Sequence, residues 1–173
     1  MAVDEHFWIF LGMMGSGKST LGKRVADLSK RDFFETDLIL EERLKKSIFQ
    51  VFQEKGEVYF RAQESAVLME LYPQPGVLST GGGIVGRTEN WNQMRRLGTT
   101  VFLDLEPLIL KKRLRNERKV RPLLHNADWE LRFDQLYRKR RSLYMQADVR
   151  IQLEHQSVDE AACEIIKKMK CLR

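Results

Sequence analysis

The stretch Gly12-Met13-Met14-Gly15-Ser16-Gly17-Lys18-Ser19-Thr20 fits the pattern G-x-x-x-x-G-K-[ST]. Each residue type in it has a chemical reason. Glycine permits positive φ and lets the backbone approach phosphates closely. Successive N–H groups then point into one concavity and bind anionic oxygens. A helix opening at Lys18 adds its positive dipole end. Lys18 is placed to reach the β- and γ-phosphates of a nucleotide, and Ser19 to ligate Mg²⁺ through its hydroxyl. Gly15, Ser16, Gly17 and Thr20 complete the expected nucleotide-binding loop.

The flanks agree with this reading. The short apolar run Phe7–Leu11 precedes the loop and reads as a buried strand. Downstream, Leu21, Val25 and Leu28 share one face of a helix over 18–29. The alternation continues to the end of the chain, with strands expected at 33–35, 76–79, 100–103 and 149–153. Helices are expected at 38–46, 57–71, 90–97, 108–115 and 129–146, and a last one carries Val158, Ala162, Ile165, Met169 and Leu172. Strands alternating with helices predict an α/β fold, a doubly wound parallel sheet of about five strands. The segment 116–127 has mixed charge and no clear period, and reads as a mobile loop. With no repeat and no Pro/Gly/Ser linker, 1–173 is expected to form a single domain.

Composition narrows the class. Of 173 residues, 43% are hydrophobic and 31% charged, an ordinary globular balance. No stretch approaches the ~20 consecutive apolar residues of a membrane span. The first six residues lack the features of a secretory signal. Cys163 and Cys171 lie roughly 12 Å apart along one expected helix, too far to pair. A cytoplasmic protein without a membrane partner is expected. The net charge of +6 favours anionic partners. The basic residues crowd two segments, one from Lys111 to Arg121 and one from Arg138 to Arg141. Most of them, Arg113 included, read as solvated surface.

No guanine-recognition N-K-x-D motif and no apolar strand ending in Asp-Glu is present. That disfavours GTPases and motor ATPases and leaves a small-molecule kinase. Asp37 ends the strand of Phe33-Phe34-Glu35, where ligands bind in a parallel sheet. A carboxylate there can hold a substrate hydroxyl and accept its proton; it can equally cap the following helix. Arg61 and Glu64 share a helix face, either as a surface ion pair or as a guanidinium aimed by its neighbour at a carboxylate. Gly81, Gly82 and Gly83 follow a short strand and either expose N–H groups to a ligand or form a plain turn.

Taken in order, GMMGSGKST, ETD, FQEKGEVYFRAQE, LSTGGGIV, RPLL and RRSLY resemble the shikimate kinase family over nearly the whole chain. The resemblance implies a five-stranded sheet of order 2-3-1-4-5 flanked by helices, with a lid at about 116–127. It implies transfer of the γ-phosphoryl of ATP to the 3-hydroxyl of shikimate, with Mg²⁺, by a monomer. By the same resemblance Lys18, Asp37 and Arg121 are catalytic, Asp37 as the base and Arg121 as the lid arginine. Arg61 (held by Glu64) and Arg140 bind the shikimate carboxylate, while Gly81, Gly82 and Gly83 line its pocket. Phe52 and Phe60 pack near the substrate ring. Arg115 stacks on adenine, and Gln156 lies near it. This sequence departs from the family pattern at Glu35, where Asp is usual, and after Tyr144, where it is one residue shorter. Either Arg140 or Arg141 fits the carboxylate role, depending on how the helix is rotated.

Two other readings stay distinct from this one. A gluconate kinase would also need carboxylate-binding arginines. A nucleic-acid-binding module would use the basic segments and bind in a salt-sensitive way. It gives no reason for the positions of Arg61, Gly81, Gly82, Gly83 and Arg140, so no nucleic-acid partner is expected.

Overall fold

The computed structural model describes residues 5–116 and 128–172. Its centre is strand β1 (Phe7–Leu11), buried at every position. A run of Phe, Trp, Ile, Phe and Leu has no polar face, so it suits a strand covered on both sides. Around it a parallel sheet forms in the order β2-β3-β1-β4-β5, with β2 at Asp32–Glu35, β3 at Gly76–Ser79, β4 at Gly98–Leu105 and β5 at Val149–Leu153. This is the order 2-3-1-4-5 that the resemblance implies. At the far edge β5 alternates, with Val149, Ile151 and Leu153 buried and Arg150 and Gln152 exposed. An edge strand with outward polar residues is protected against further pairing.

Helices pack on both faces: α1 (Lys18–Ser29), α2 (Thr36–Leu44), α3 (Ile48–Met69), α4 (Thr88–Leu97), α5 (Pro107–Asn116), α6 (Trp129–Tyr144) and α7 (Val158–Cys171). Close approach of α1 to the sheet requires Gly22, since a Cβ there would lie 2.6 Å from the Phe33 ring. The main core joins β1 to β5 with Leu21, Val25, Trp91, Met94, Leu110, Phe133, Ile165 and others. Truncating one of its large members, such as the fully buried Phe10, costs about 3–5 kcal/mol. A smaller cluster of Leu40, Val51, Phe60 and Val67 holds α2 against α3.

Several boundaries differ from expectation. Helix α2 begins at Thr36, so its N-cap is Glu35 and Asp37 sits in the first turn. The capping role that Asp37 could have taken is thereby excluded. Helix α3 begins at Ile48, not at 57, because Ser47 and Gln50 form a reciprocal capping box. Gly56, at φ 77°, breaks its regularity midway. Strand β4 is longer than 100–103 at both ends and leaves α4 without a loop. Among the described residues no helix is long and apolar enough to cross a membrane.

Candidate active site

Strand β1 lies between β3 and β4, so successive connections diverge to either side of it. The carboxyl end of such a strand opens a crevice, and the glycine loop fills it. Gly15 and Gly17 adopt φ of 80° and 87°, a region that L side chains rarely enter. Gly17 then directs the chain into α1. Lys18, almost fully buried, donates from Nζ to the carbonyl oxygens of Gly12 (2.9 Å) and Met13 (3.0 Å). Ser19 Oγ donates to the Glu35 carboxylate. The end of β2 and the start of α1 thus meet at a hydroxyl and a carboxylate.

A cavity of about 420 Å³ extends from this point. One wall is the glycine loop with Ser19 and Thr20, and Glu35, Asp37, Gly81 and Gly82 line the cavity too. The segment joining β5 to α7, with Gln156, lines it as well. Gln156 accepts a hydrogen bond from the Glu154 N–H (2.7 Å), which turns this segment back on itself.

Next to the cavity, β3 leads through Thr80 into the three glycines. Thr80 Oγ1 donates to the Phe10 carbonyl (2.9 Å), and the Gly81 N–H donates to Thr36 Oγ1 (3.1 Å). Thr36 is thus a positioning residue that sequence reasoning passed over. Side chains crowd each glycine. A Cβ at Gly81 would overlap Glu64 Oε1 and lie 3.0 Å from Asp37 Oδ1. One at Gly82 would lie 3.6 Å from an Arg140 nitrogen, and one at Gly83 would overlap the Arg61 guanidinium. Gly81 and Gly83 are therefore required by the approach of Glu64 and Arg61, not only by exposed N–H groups, whereas a Cβ at Gly82 would be in ordinary contact with Arg140.

Arg61 Nη1 donates to Glu64 (2.8 Å), which is 1% exposed. On its other side Arg61 meets Glu57 and lies over the Phe60 ring, 4.9 Å from its centroid. Phe52 packs on Phe60 with centroids 4.5 Å apart. Arg140 lies close enough to act on the Tyr144 hydroxyl, which donates to the Gly82 carbonyl (2.5 Å). Burial lowers the pKa of Arg140, and the charge of Arg61 lowers it further. Two guanidiniums thus converge on adjacent glycines, an arrangement that an anion relieves. Burial also pushes the Tyr144 pKa up to about 12, so Tyr144 remains a neutral donor. Asp37 is raised to about 6, first by burial and then by the Glu64 charge, with Lys18 opposing. Asp37 Oδ1 and Glu64 Oε1 are buried without a hydrogen-bond partner among the described residues. A half-desolvated carboxylate near pKa 6 is a competent proton acceptor.

Comparison with known proteins decides what this site belongs to. Residues 14–170 match the family model described as shikimate kinase. The chain belongs to the shikimate kinase family. A shikimate kinase from Synechococcus sp. is 39% identical over 164 residues, covering 94% of this chain and 86% of that protein. One from Dictyoglomus turgidum is 41% identical over 167 residues, covering 93% and 95%. A solved shikimate kinase from Acinetobacter baumannii in complex with shikimate has a TM-score of 0.93 at 29% identity, covering 99% of this chain and 96% of that one. A gluconokinase from Sinorhizobium meliloti 1021, at 14% identity and TM-score 0.56, shares the fold alone. Like other shikimate kinases, the chain is an ATP-dependent kinase with the P-loop kinase fold.

One of the candidate residues falls elsewhere. Arg115 does not line the cavity; its guanidinium pairs with Glu130 of α6 (2.8 Å) and is 60% exposed. Arg113, expected to be solvated surface, lines the cavity and donates to the Gly15 carbonyl (3.3 Å). A helix turns about 100° per residue, so only one of two arginines two positions apart can face the loop. Arg121 and the expected lid, beyond Asn116, lie outside the described residues. Of the paired alternatives on α6, Arg140 faces Gly82 and Arg141 faces Asp104 (3.3 Å).

Proposed function

We propose that this chain transfers the γ-phosphoryl of ATP to the 3-hydroxyl of shikimate, giving shikimate 3-phosphate and ADP. The observation that carries the reading is the convergence of Arg61 and Arg140 on Gly82 and Gly83, beside Asp37 and the phosphate loop. A ring acid held by its carboxylate at the arginines would present a hydroxyl toward Asp37. ATP would lie along the cavity, with its phosphates on the Gly15 to Thr20 loop and its base toward Arg113 and Gln156.

In the reaction the shikimate oxygen forms a bond to the γ-phosphorus while the bond to the β-bridging oxygen breaks and ADP leaves. Asp37 takes the hydroxyl proton. Lys18 shifts from the loop carbonyls to the β- and γ-phosphates, where charge accumulates. Arg121, as the lid arginine, would complete this neutralisation. Closure of the lid would exclude water, which otherwise competes as the nucleophile.

Mg²⁺ fits the residues present. Ser19 Oγ and the Glu35 carboxylate offer oxygen donors at the end of the phosphate loop, as a hard cation requires. No group of three or more His, Cys, Asp or Glu forms a metal cage among the described residues, in keeping with an ion bound largely through nucleotide phosphates. Ser19 would ligate it, with Glu35 holding its waters. When bound, it supplies positive charge to the phosphate oxygens. We read the whole chain as one cytoplasmic, monomeric kinase domain.

Phosphorus NMR of the product tests the reading. Incubation with ATP, Mg²⁺ and shikimate should yield one phosphate monoester, coupled to the ring proton at carbon 3. Inorganic phosphate as the only product besides ADP would overturn it.

A further inference from the structure

Arg140 and Arg141 are neighbours on α6, so their directions differ by about 100°. If α6 rolled by that amount, the wrong arginine would enter the pocket. Something must therefore fix the roll. Strand β4 presents Thr100, Phe102 and Asp104 on one face, because alternate residues point the same way. All three engage α6 or the chain just after it. Thr100 accepts from the Asp148 N–H and donates to its carboxylate (3.0 and 2.6 Å). Phe102 stacks on Tyr144 with centroids 5.1 Å apart. Asp104, 6% exposed, accepts from Arg141 (3.3 Å). As numbering rises along the strand it falls along the partners, so α6 and the chain just after it lie antiparallel to β4, with two contacts on the helix and one beyond it.

Among the three, Asp104 is the one farthest from Asp148 along β4. Its carboxylate also accepts from Arg150 of β5 (2.8 Å). A nearly buried carboxylate bridges a strand to a chosen face of the helix.

We propose that Asp104 is a positioning residue for the phosphoryl transfer: by holding Arg141, it sets the roll of α6 that delivers Arg140 to the shikimate carboxylate. The proposal rests on the carboxylate-binding role of Arg140 given above. Arg150 provides the internal control, because it shares Asp104 but lies on β5 and cannot turn α6.

The test is steady-state kinetics with both substrates varied, alongside thermal melts. Arg141→Ala and Asp104→Asn should each raise KM for shikimate roughly tenfold, with KM for ATP within about twofold, since misplacement of one recognition group acts on its own ligand. Arg141→Lys, which keeps a charge in reach of Asp104, should recover part of the loss. Arg150→Ala should leave KM for shikimate within about twofold. In an Arg140→Ala background, Arg141→Ala should add nothing further, as expected of residues acting through one another. Should Asp104→Asn not fold, the more exposed Arg141 variants still decide. An unchanged KM for shikimate in Arg141→Ala, or an equal rise in Arg150→Ala, overturns the proposal. If Arg140→Ala itself leaves that KM unchanged, the carboxylate-binding reading fails first.

Discussion

Arg61 and Gly83 occupy complementary space: a Cβ on the glycine would fall on the guanidinium. Glu64 and the Phe60 ring hold the arginine on its other sides, so it has little room to retreat. Gly83→Ala should therefore displace Arg61 without touching the nucleotide side. KM for shikimate should rise roughly tenfold or more, with KM for ATP unchanged. Substrate-saturation curves check this, and a parent-like KM for shikimate would mean that Arg61 is not the carboxylate clamp.

Asp37 links catalysis to stability through pH. Its folded-state pKa of about 6 lies above the ordinary 3.8, with burial as the first cause and Glu64 as the second. The folded state thus holds the proton more tightly than the unfolded chain. The contribution to stability is full below the ordinary value and is lost as pH rises through the folded one. At pH 7, Asp37→Asn should raise folding stability on the order of 2 kcal/mol, a gain that shrinks toward pH 4. Denaturant melts at the two pH values check it. The same carboxyl predicts an acid limb near pH 6 in kcat/KM for shikimate, because the protonated form cannot accept the hydroxyl proton.

Much of this arrangement was legible in the sequence. Phe7–Leu11, Lys18–Ser29, Gly76–Ser79 and Val149–Leu153 have the bounds read from apolar pattern and glycine placement. The glycine loop was equally plain, since its residue types follow from phosphate chemistry. The first half of α3 was hidden because Gly56 reads as a break, although Ser47 and Gln50 carried a capping signal. Arg113 and Arg115 could not be separated by composition; which one faces the loop depends on how α5 packs. The choice between Arg140 and Arg141 likewise depended on Asp104, a residue remote in sequence. Tyr144 was visible in RRSLY, yet its bond to Gly82 required the tertiary structure.

The different positions of Arg113, at the cavity, and Arg115, paired with Glu130, give a direct prediction. Arg113→Ala should raise KM for ATP roughly threefold to tenfold, in line with loss of one cation near a base or phosphate. Arg115→Ala, which breaks only an exposed pair with Glu130, should change it less than about twofold. Equal effects, measured by varying ATP at saturating shikimate, would contradict the placement.

Glu35 and Ser19 meet at the proposed ion site. Glu35→Ala should raise the Mg²⁺ concentration for half-maximal activity about 10- to 100-fold, the usual cost of losing an outer partner of a bound ion. Glu35→Asp should lie between the two. Magnesium titrations at fixed ATP report this, and an unshifted midpoint would remove Glu35 from the site.

The central claim is that the arginine pair and the phosphate loop serve one transfer to shikimate. Coupled ADP release with ATP and Mg²⁺, run with shikimate, with gluconate and with no acceptor, tests it most directly. The account predicts release that depends on shikimate alone and falls on the order of 10²-fold or more in Lys18→Ala. ATP hydrolysis indifferent to shikimate, or release supported by gluconate instead, would contradict it.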